Sequence, residues 1–331
     1  MNHEYYMHRA IELARKGAGF VSPNPMVGAV IVAPGGRIIG EGWHRRYGGP
    51  HAEVNAVASV MAEDEMLLPE STIYVSLEPC SHYGKTPPCS KLLIEKRFSR
   101  VVIGMRDPFK EVSGRGIAML REAGIEVIEN VLEKECRHLN RRFITAHTLH
   151  RPHIQLKWAQ SADGYIAAIN AQGEGIPVKL SNPLTSVEMH RERAMADAIL
   201  AGTNTIISDN PSLTTRLWPG KSPRPVIFAS ARIPADAEIL KHNPIILSSS
   251  PPLEENMRLL YSEHGITSLM VEGGREILNS FISCGLFDSI RIETTPQRLH
   301  CGIPAPALPP CLHLTDDRTV TGHHILTYTP S

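Results

Sequence analysis

The residues best suited to chemistry gather around one short loop. Cys80 and Cys89 flank Ser81-His82-Tyr83-Gly84-Lys85-Thr86-Pro87-Pro88, in a chain with six cysteines. Two scarce thiols so placed can form a disulfide, a metal site or two unrelated buried side chains. The other four, Cys136, Cys284, Cys301 and Cys311, are scattered. The opening MNHEYYMHRAIELARKG is charged and amphipathic, without the apolar core of an export signal. A cytoplasm with reduced thiols is therefore the expected compartment, which counts against the disulfide. Upstream, His51-Ala52-Glu53 follows a Gly-Gly-Pro turn. One imidazole and two thiols make three ligands, the number a catalytic zinc takes while keeping a fourth position for water. A purely structural zinc usually closes with four protein ligands, and His82 is a less favoured fourth. Water on such a metal is acidified to a pKa of about 7. Attack on an amino-substituted ring carbon then needs a proton carrier to the ring nitrogen and the leaving ammonia. Glu53 lies two residues from one ligand without being one, and is placed for that work.

These side chains need elements to hold them. Apolar periodicity predicts helices over 5–16, 51–61, 89–96 and 116–122. It predicts strands over 27–32, 71–77, 100–104 and 125–128, the first forming a hairpin with a strand that begins at 37–40. His51 then opens a helix and Cys80 follows a strand. Cys89 sits at a helix N-terminus, where the backbone dipole and unpaired N–H groups favour a thiolate. Alternating strands and helices make an α/β sheet. The rhythm breaks over 141–152. A second α/β set follows, with strands over 153–158, 198–202, 224–230, 245–248, 268–271 and 289–293 and helices over 191–198 and 276–284. We expect two domains, 1–147 and 151–331; a length of 331 residues suits two. Lys plus Arg and Asp plus Glu are both 34, so the formal net charge is zero, which argues against a nucleic-acid-binding module. No apolar run approaches the ~18 residues of a membrane span.

H-x-E followed by Pro-Cys and a further Cys is the signature of zinc nucleobase deaminases, whose two cysteines are usually two residues apart. Here Ser81 to Pro88 lie between them. That longer loop is joined by Pro23-Asn24-Pro25, Val27-Gly28, Gly42-Trp43-His44, His51-Ala52-Glu53-Val54-Asn55-Ala56, Leu77-Glu78-Pro79-Cys80-Ser81-His82, Asp107-Pro108 and Gly114-Arg115-Gly116. Together, over residues 1 to about 145, they resemble the first half of the bifunctional deaminase–reductases of riboflavin biosynthesis. The resemblance implies a cytidine-deaminase-like α/β/α domain that removes the 2-amino group from a phosphoribosylamino pyrimidine. It implies one zinc on His51, Cys80 and Cys89, with Glu53 carrying protons. Asn24, His44 and Lys85 become candidate substrate contacts, and Lys85 suits a phosphate.

The second half resembles the dihydrofolate-reductase-like partner of the same family. Ile154-Gln155-Leu156-Lys157 runs into Ser161-Ala162-Asp163-Gly164, followed by Ala201-Gly202-Thr203-Asn204-Thr205, Asp209-Asn210-Pro211-Ser212-Leu213-Thr214-Thr215-Arg216 and Val271-Glu272-Gly273-Gly274. Alone, S-x-D-G or Gly-Gly is no more than a turn. The resemblance implies hydride transfer from NADPH to C1′ of the opened ribose. It places Gly175, Arg193, Leu213, Arg216 and Glu272 on the substrate side, and Ala159, Lys179, Thr205, Asp209, Ser230 and Gly274 on the cofactor side. Lys157 is expected to face the reaction centre. The family's G-E-S-x-W-I-T-S is replaced here by Gly173-Glu174-Gly175-Ile176-Pro177-Val178-Lys179-Leu180-Ser181-Asn182. Gly175 stands for a serine, Lys179 for an aromatic and Ser181 for a threonine, with two residues added. Its A-P-x-L-L-G is replaced by Thr295-Pro296-Gln297-Arg298-Leu299-His300-Cys301-Gly302. A working reductase is expected, with a diverged, inactive or retuned half as the alternative. The resemblance further implies a homo-oligomer, dimer or larger, acting on a small molecule, with neither nucleic acid nor membrane as partner.

Overall fold

The structure, a computed structural model, describes residues 2–82, 87–109 and 113–331. The chain divides into two compact units, Met1–Leu149 and His150–Ser331. The first runs α1 (His3–Arg15), β1 (Gly28–Val32), β2 (Ile38–Trp43), α2 (Ala52–Ala58), β3 (Thr72–Val75), α3 (Cys89–Glu95), β4 (Arg100–Ile103), α4 (Arg115–Glu122), β5 (Glu126–Ile128), α5 (Glu133–Leu139) and α6 (Arg141–Leu149). Among the described residues its sheet has the order β2-β1-β3-β4-β5. β1 is antiparallel to β2 and β3, whereas β3, β4 and β5 run parallel. Side chains alternate across a strand. Ala29, Ile31, Ile73, Val75, Val101 and Ile103 therefore pack with Ala52, Ala56, Leu93, Ile117 and Leu120 of α2, α3 and α4. Val30, Val32, Tyr74 and Val102 face the other way, onto Met7, Ala10, Ile11 and Ala14 of α1 and Cys136 and Leu139 of α5. This is the α/β/α sandwich expected.

The second unit runs β6 (His153–Gln160), β7 (Tyr165–Ile169), β8 (Gly175–Ile176), α7 (Pro183–Met195), β9 (Ala198–Leu200), α8 (Thr203–Asp209), β10 (Arg224–Phe228), β11 (Ile245–Leu247), α9 (Leu253–Ser262), β12 (Ser268–Glu272), α10 (Arg275–Ser283), β13 (Ser289–Thr294), β14 (Ile303–Pro304), β15 (Leu312–Val320) and β16 (His323–Pro330). Its main sheet has the order β11-β10-β9-β12-β6-β13-β16-β15 among the described residues. It is parallel from β11 to β13 and antiparallel at β16 and β15. Ile154, Leu156 and Trp158 of β6 and Ile290 and Ile292 of β13 join Met257, Leu260, Leu278 and Phe281 of α9 and α10 in one core. The alternate residues Lys157, Arg291 and Glu293 are also buried. Arg291, only 1 % exposed, meets Glu192 of α7 at 3.0 Å.

Several elements differ from expectation. Over 141–152, where no element was assigned, α6 fills most of the stretch, and the equally unassigned α5 precedes it. α7 begins at Pro183, well before residue 191: Asn182 caps it reciprocally with Thr185 and proline occupies the first turn. α8, α9 and the terminal hairpin β15–β16 were not anticipated.

Candidate active sites

In the first unit, three loops meet at the metal-type residues. His51 has extended backbone immediately before α2. Asn55, one turn on, donates to Trp43 O at 2.8 Å and Pro50 O at 3.2 Å, tying α2 to the end of β2. Cys80 follows β3, its carbonyl accepting from Ser90 N at 3.1 Å and Ser90 Oγ at 3.0 Å. Cys89 is the first residue of α3, and its N–H donates to Cys80 Sγ at 3.2 Å. His51 Nδ1 lies 3.6 Å from Cys80 Sγ and 3.4 Å from Cys89 Sγ. All three ligand atoms are within 4.8 Å of one another. Ordinary Zn–N and Zn–S bonds at a tetrahedral angle put such atoms about 3.6 Å apart. The donor set and spacing thus fit zinc.

The two thiols polarise one another: Cys80 is held below the usual thiol range, first by the Cys89 thiol and then by His51 and the Cys89 N–H, whereas Cys80, burial and the nearby Glu53 push the Cys89 thiol up. The start of α3 therefore favours a thiolate on Cys80, through the Cys89 N–H, and not on Cys89 as expected. Glu53, in the first turn of α2, is 3 % exposed. Burial pushes its pKa up to about 7, with the nearby Cys80 adding to the rise. His44 is buried beside this group, its ring edge-on to His51 with centroids 5.6 Å apart. Its Nδ1 faces Pro50 O at 3.0 Å, and a carbonyl can only accept, so Nδ1 carries the proton. Nε2 then accepts from Asn24 Nδ2 at 3.2 Å. Burial lowers the pKa of His44, which keeps this neutral tautomer.

Asn24, His44, His51, Glu53 and Cys80 line one cavity of about 490 Å³ with Glu78, His82, Asp107, Phe109, Phe143 and His147. Lys85 lies outside the described residues. Glu78 had no assigned role. Its buried carboxylate accepts from the backbone N–H groups of Asp107, Gly114, Gly116 and Ile117 at 3.0 to 3.4 Å. A side chain on Gly116 would meet Pro79 O at 2.1 Å, so the two segments touch by backbone. Phe143 and His147, on α6, meet edge-on with ring centroids 4.4 Å apart, and Phe109 reaches His147 at 4.9 Å. The four-residue spacing of Phe143 and His147 was the signal available for this wall.

In the second unit only part of the expected set is brought into contact: Lys157 and Arg193 meet Glu272, and Thr205 meets Gly274. Glu272 and Lys157 are cross-strand partners, as are Lys157 and Arg291. Arg193 of α7 grips Glu272 with Nε at 3.0 Å and Nη2 at 2.6 Å, and Nη1 donates to Thr214 O at 3.3 Å. Burial alone would raise the Glu272 carboxyl, but Arg193 and Lys157 overcome it and hold its pKa at about 2. Burial pushes the Lys157 amine down. Arg216 bonds Ser212 and Thr214 through its side chain and His190 through its N–H. Leu213 is buried with φ +53°. Thr205 Oγ1 accepts from Gly274 N at 2.8 Å. α8 and α10 start on Gly202 and Gly274 without a capping side chain. A Cβ on Gly273 would fall 2.7 Å from the Ile277 side chain, so glycine there lets the two helix starts approach closely. Glycine turns leading into α8 and α10 without a capping side chain suit the phosphates of a dinucleotide. Asp209 and Lys179 are exposed, Ser230 accepts from Arg232 N, and Ala159 is half-buried on β6. Gly175 lies on the exposed strand β8, where the end of Ile303 occupies the space of a side chain.

Comparison with known proteins follows the same division. Residues 1–105 match the family model of the cytidine and deoxycytidylate deaminase zinc-binding region, and 152–299 that of the RibD C-terminal domain. The chain is 38% identical over 322 residues to the riboflavin biosynthesis protein RibD of Aquifex aeolicus (strain VF5), covering 90% of this chain and 88% of that protein. It is 36% identical to the RibD of Actinobacillus pleuropneumoniae, covering 88% of this chain and 83% of that one. The crystal structure of a diaminohydroxyphosphoribosylaminopyrimidine deaminase/5-amino-6-(5-phosphoribosylamino)uracil reductase from Thermotoga maritima superposes with a TM-score of 0.89 at 36% identity, covering 99% of both chains.

Proposed function

The chain belongs to the RibD family of riboflavin biosynthesis proteins, which join a zinc-binding deaminase half to a reductase half, and on that premise we propose how its own residues divide two reactions. The first is hydrolytic loss of the 2-amino group of 2,5-diamino-6-(5-phosphoribosylamino)pyrimidin-4-one: water adds at ring C2 and ammonia leaves. The second reduces C1′ of the opened ribose to give a ribityl chain. Zinc on His51, Cys80 and Cys89 supplies a nucleophile from water at neutral pH, and NADPH supplies the hydride of the second step.

Glu53 receives the proton given up by the attacking water on a carboxylate oxygen. It passes that proton to the ring nitrogen, then takes the proton of the new hydroxyl on C2 and gives it to the departing amine, which leaves a carbonyl at C2. A carboxyl with a pKa of about 7 holds and releases a proton at working pH. Asn24 and the neutral His44 orient the ring, and Lys85 pairs with the phosphate. In the reductase half Arg216 takes the phosphate. Arg193 has three donors committed, so it works by fixing Glu272 on the substrate side with Gly175 and Leu213. Ala159, Lys179, Thr205, Asp209, Ser230 and Gly274 line the cofactor side. A cytoplasmic homo-oligomer, dimer or larger, completes this reading by family analogy.

The observation that carries the reading is the convergence of His51, Cys80 and Cys89 at metal-ligand spacing, with Glu53 lining the same cavity as His51 and Cys80. The test is incubation of the full chain with the diaminopyrimidine, with and without NADPH. Ammonia release in both, with NADPH oxidised in step with deaminated product, is expected. A second reading, an active deaminase joined to an inactive or retuned reductase, is favoured by the departures at Gly175–Asn182 and Thr295–Gly302. Ammonia release without NADPH oxidation would select it.

A further inference from the structure

We propose that His323, acting through Glu293 and Ser181, is a positioning residue that fixes segment 177–182 of the reductase half, which carries the cofactor-side Lys179. The inference rests on the reading that Lys179 and Ala159 face the cofactor. Glu293 lies on β13 with Ala159 of β6 and Ile325 of β16 as its cross-strand partners, and it is fully buried. A carboxylate there is removed from water and must be met by donors from the protein. It has two. Ser181 Oγ donates to Oε2 at 2.8 Å, and His323 Nδ1 lies 2.9 Å from Oε1. Since a carboxylate accepts, His323 carries its proton on Nδ1.

The next residue is held by the same turn of the terminal hairpin. Asn182 Nδ2 donates to Thr321 Oγ1 at 2.7 Å and Val320 O at 3.4 Å, while its Oδ1 caps α7. The other end of the segment is fixed by β8, whose Ile176 pairs with Ala168 of β7. Pro177 and Lys179, between the two anchors, are exposed and belong to no strand or helix. Lys179 is thus positioned from its ends. The clasp also joins the two stretches in which this chain departs from its family. Ser181 belongs to one, and Glu293 stands two residues before the other. A hydrogen-bonded chain of Ser181, Glu293 and His323 does the anchoring where Lys179 replaces the usual aromatic.

The test compares Ser181→Ala, Ser181→Thr and His323→Phe in the full chain. Readouts are NADPH binding by fluorescence, the steady-state KM for NADPH against kcat, and hydrogen–deuterium exchange over 175–182. Ser181→Ala and His323→Phe should each raise the NADPH Kd and KM by roughly tenfold with kcat at saturation within about twofold, as loss of positioning before the chemical step requires. Both should speed exchange over 175–182, and the double variant should be little worse than either single. Ser181→Thr, which keeps the hydroxyl, should match wild type, and ammonia release should be unchanged throughout. Unchanged Kd and exchange in Ser181→Ala would overturn the clasp, and that one-atom change remains decisive should His323→Phe fold poorly. Wild-type protein that does not bind NADPH would sink the cofactor reading, while exchange over 175–182 would still decide the clasp.

Discussion

Glu53 and the three ligand side chains occupy one small volume, yet substitution should separate their roles. Glu53→Gln keeps the shape of the carboxyl and removes its proton chemistry. It should lower ammonia release by ~10²–10⁴-fold while metal analysis still finds about one zinc per chain. Cys89→Ser should lose the zinc itself. A Glu53→Gln protein that deaminates at the normal rate would remove Glu53 from the proton path. The Arg193–Glu272 pair makes a pH prediction. The folded-state pKa of Glu272 is depressed from 4.5 to about 2, so its contribution to stability is present above about 4.5 and is lost as pH falls toward about 2. Thermal melts of the reductase half over that window should show falling stability. Arg193→Met should flatten the slope and cost roughly 3–5 kcal/mol at neutral pH, because it leaves a buried carboxylate without its fork. At this scale the convergence of the ligand residues was legible, because metal chemistry is written in residue type and order. Glu78 and Phe109 were not legible as cavity residues, and the four-residue spacing of Phe143 and His147 marks a shared helix face without saying that a cavity lies on it. A lone Glu or Phe carries no spacing rule, and what recruits each is a neighbour distant in sequence.

The site depends on how element ends are set against one another. Gly116 opens α4 beneath Pro79, and Gly116→Ala would push a carbon to 2.1 Å from the Pro79 carbonyl. The Cys80 loop would have to move. We expect zinc occupancy and deaminase activity to fall together, although residue 116 touches neither metal nor substrate; metal analysis of the purified variant measures this. Strands rich in β-branched residues and helices with clear caps were readable. β1, β3, β4, β6 and β12 lie within a residue or two of expectation. α6 was hidden because RRFITAHTLH mixes charge and apolar residues around a site wall rather than showing a clean core stripe. β15 was hidden for a related reason: it is an edge strand with mostly exposed side chains, and no alternation marks it.

At the scale of the whole molecule, the apolar clusters separate by unit. Two belong to residues before 150 and two to residues after it. A fragment of residues 1–149 should therefore fold cooperatively, hold about one zinc and release ammonia; circular dichroism melts and metal analysis check this. Among the described residues no helix is long and apolar enough to cross a membrane. The grip of Glu78 on the backbone of Asp107, Gly114, Gly116 and Ile117 has a consequence for how this family can diversify. Glu78 stands two residues before Cys80, and Asp107 and Phe109 line the same cavity. An insertion or deletion between 107 and 117, the ordinary route to a new substrate range, would be transmitted to the metal ligand through one carboxylate. Selection for altered specificity in this half should therefore yield side-chain exchanges on a loop of constant length.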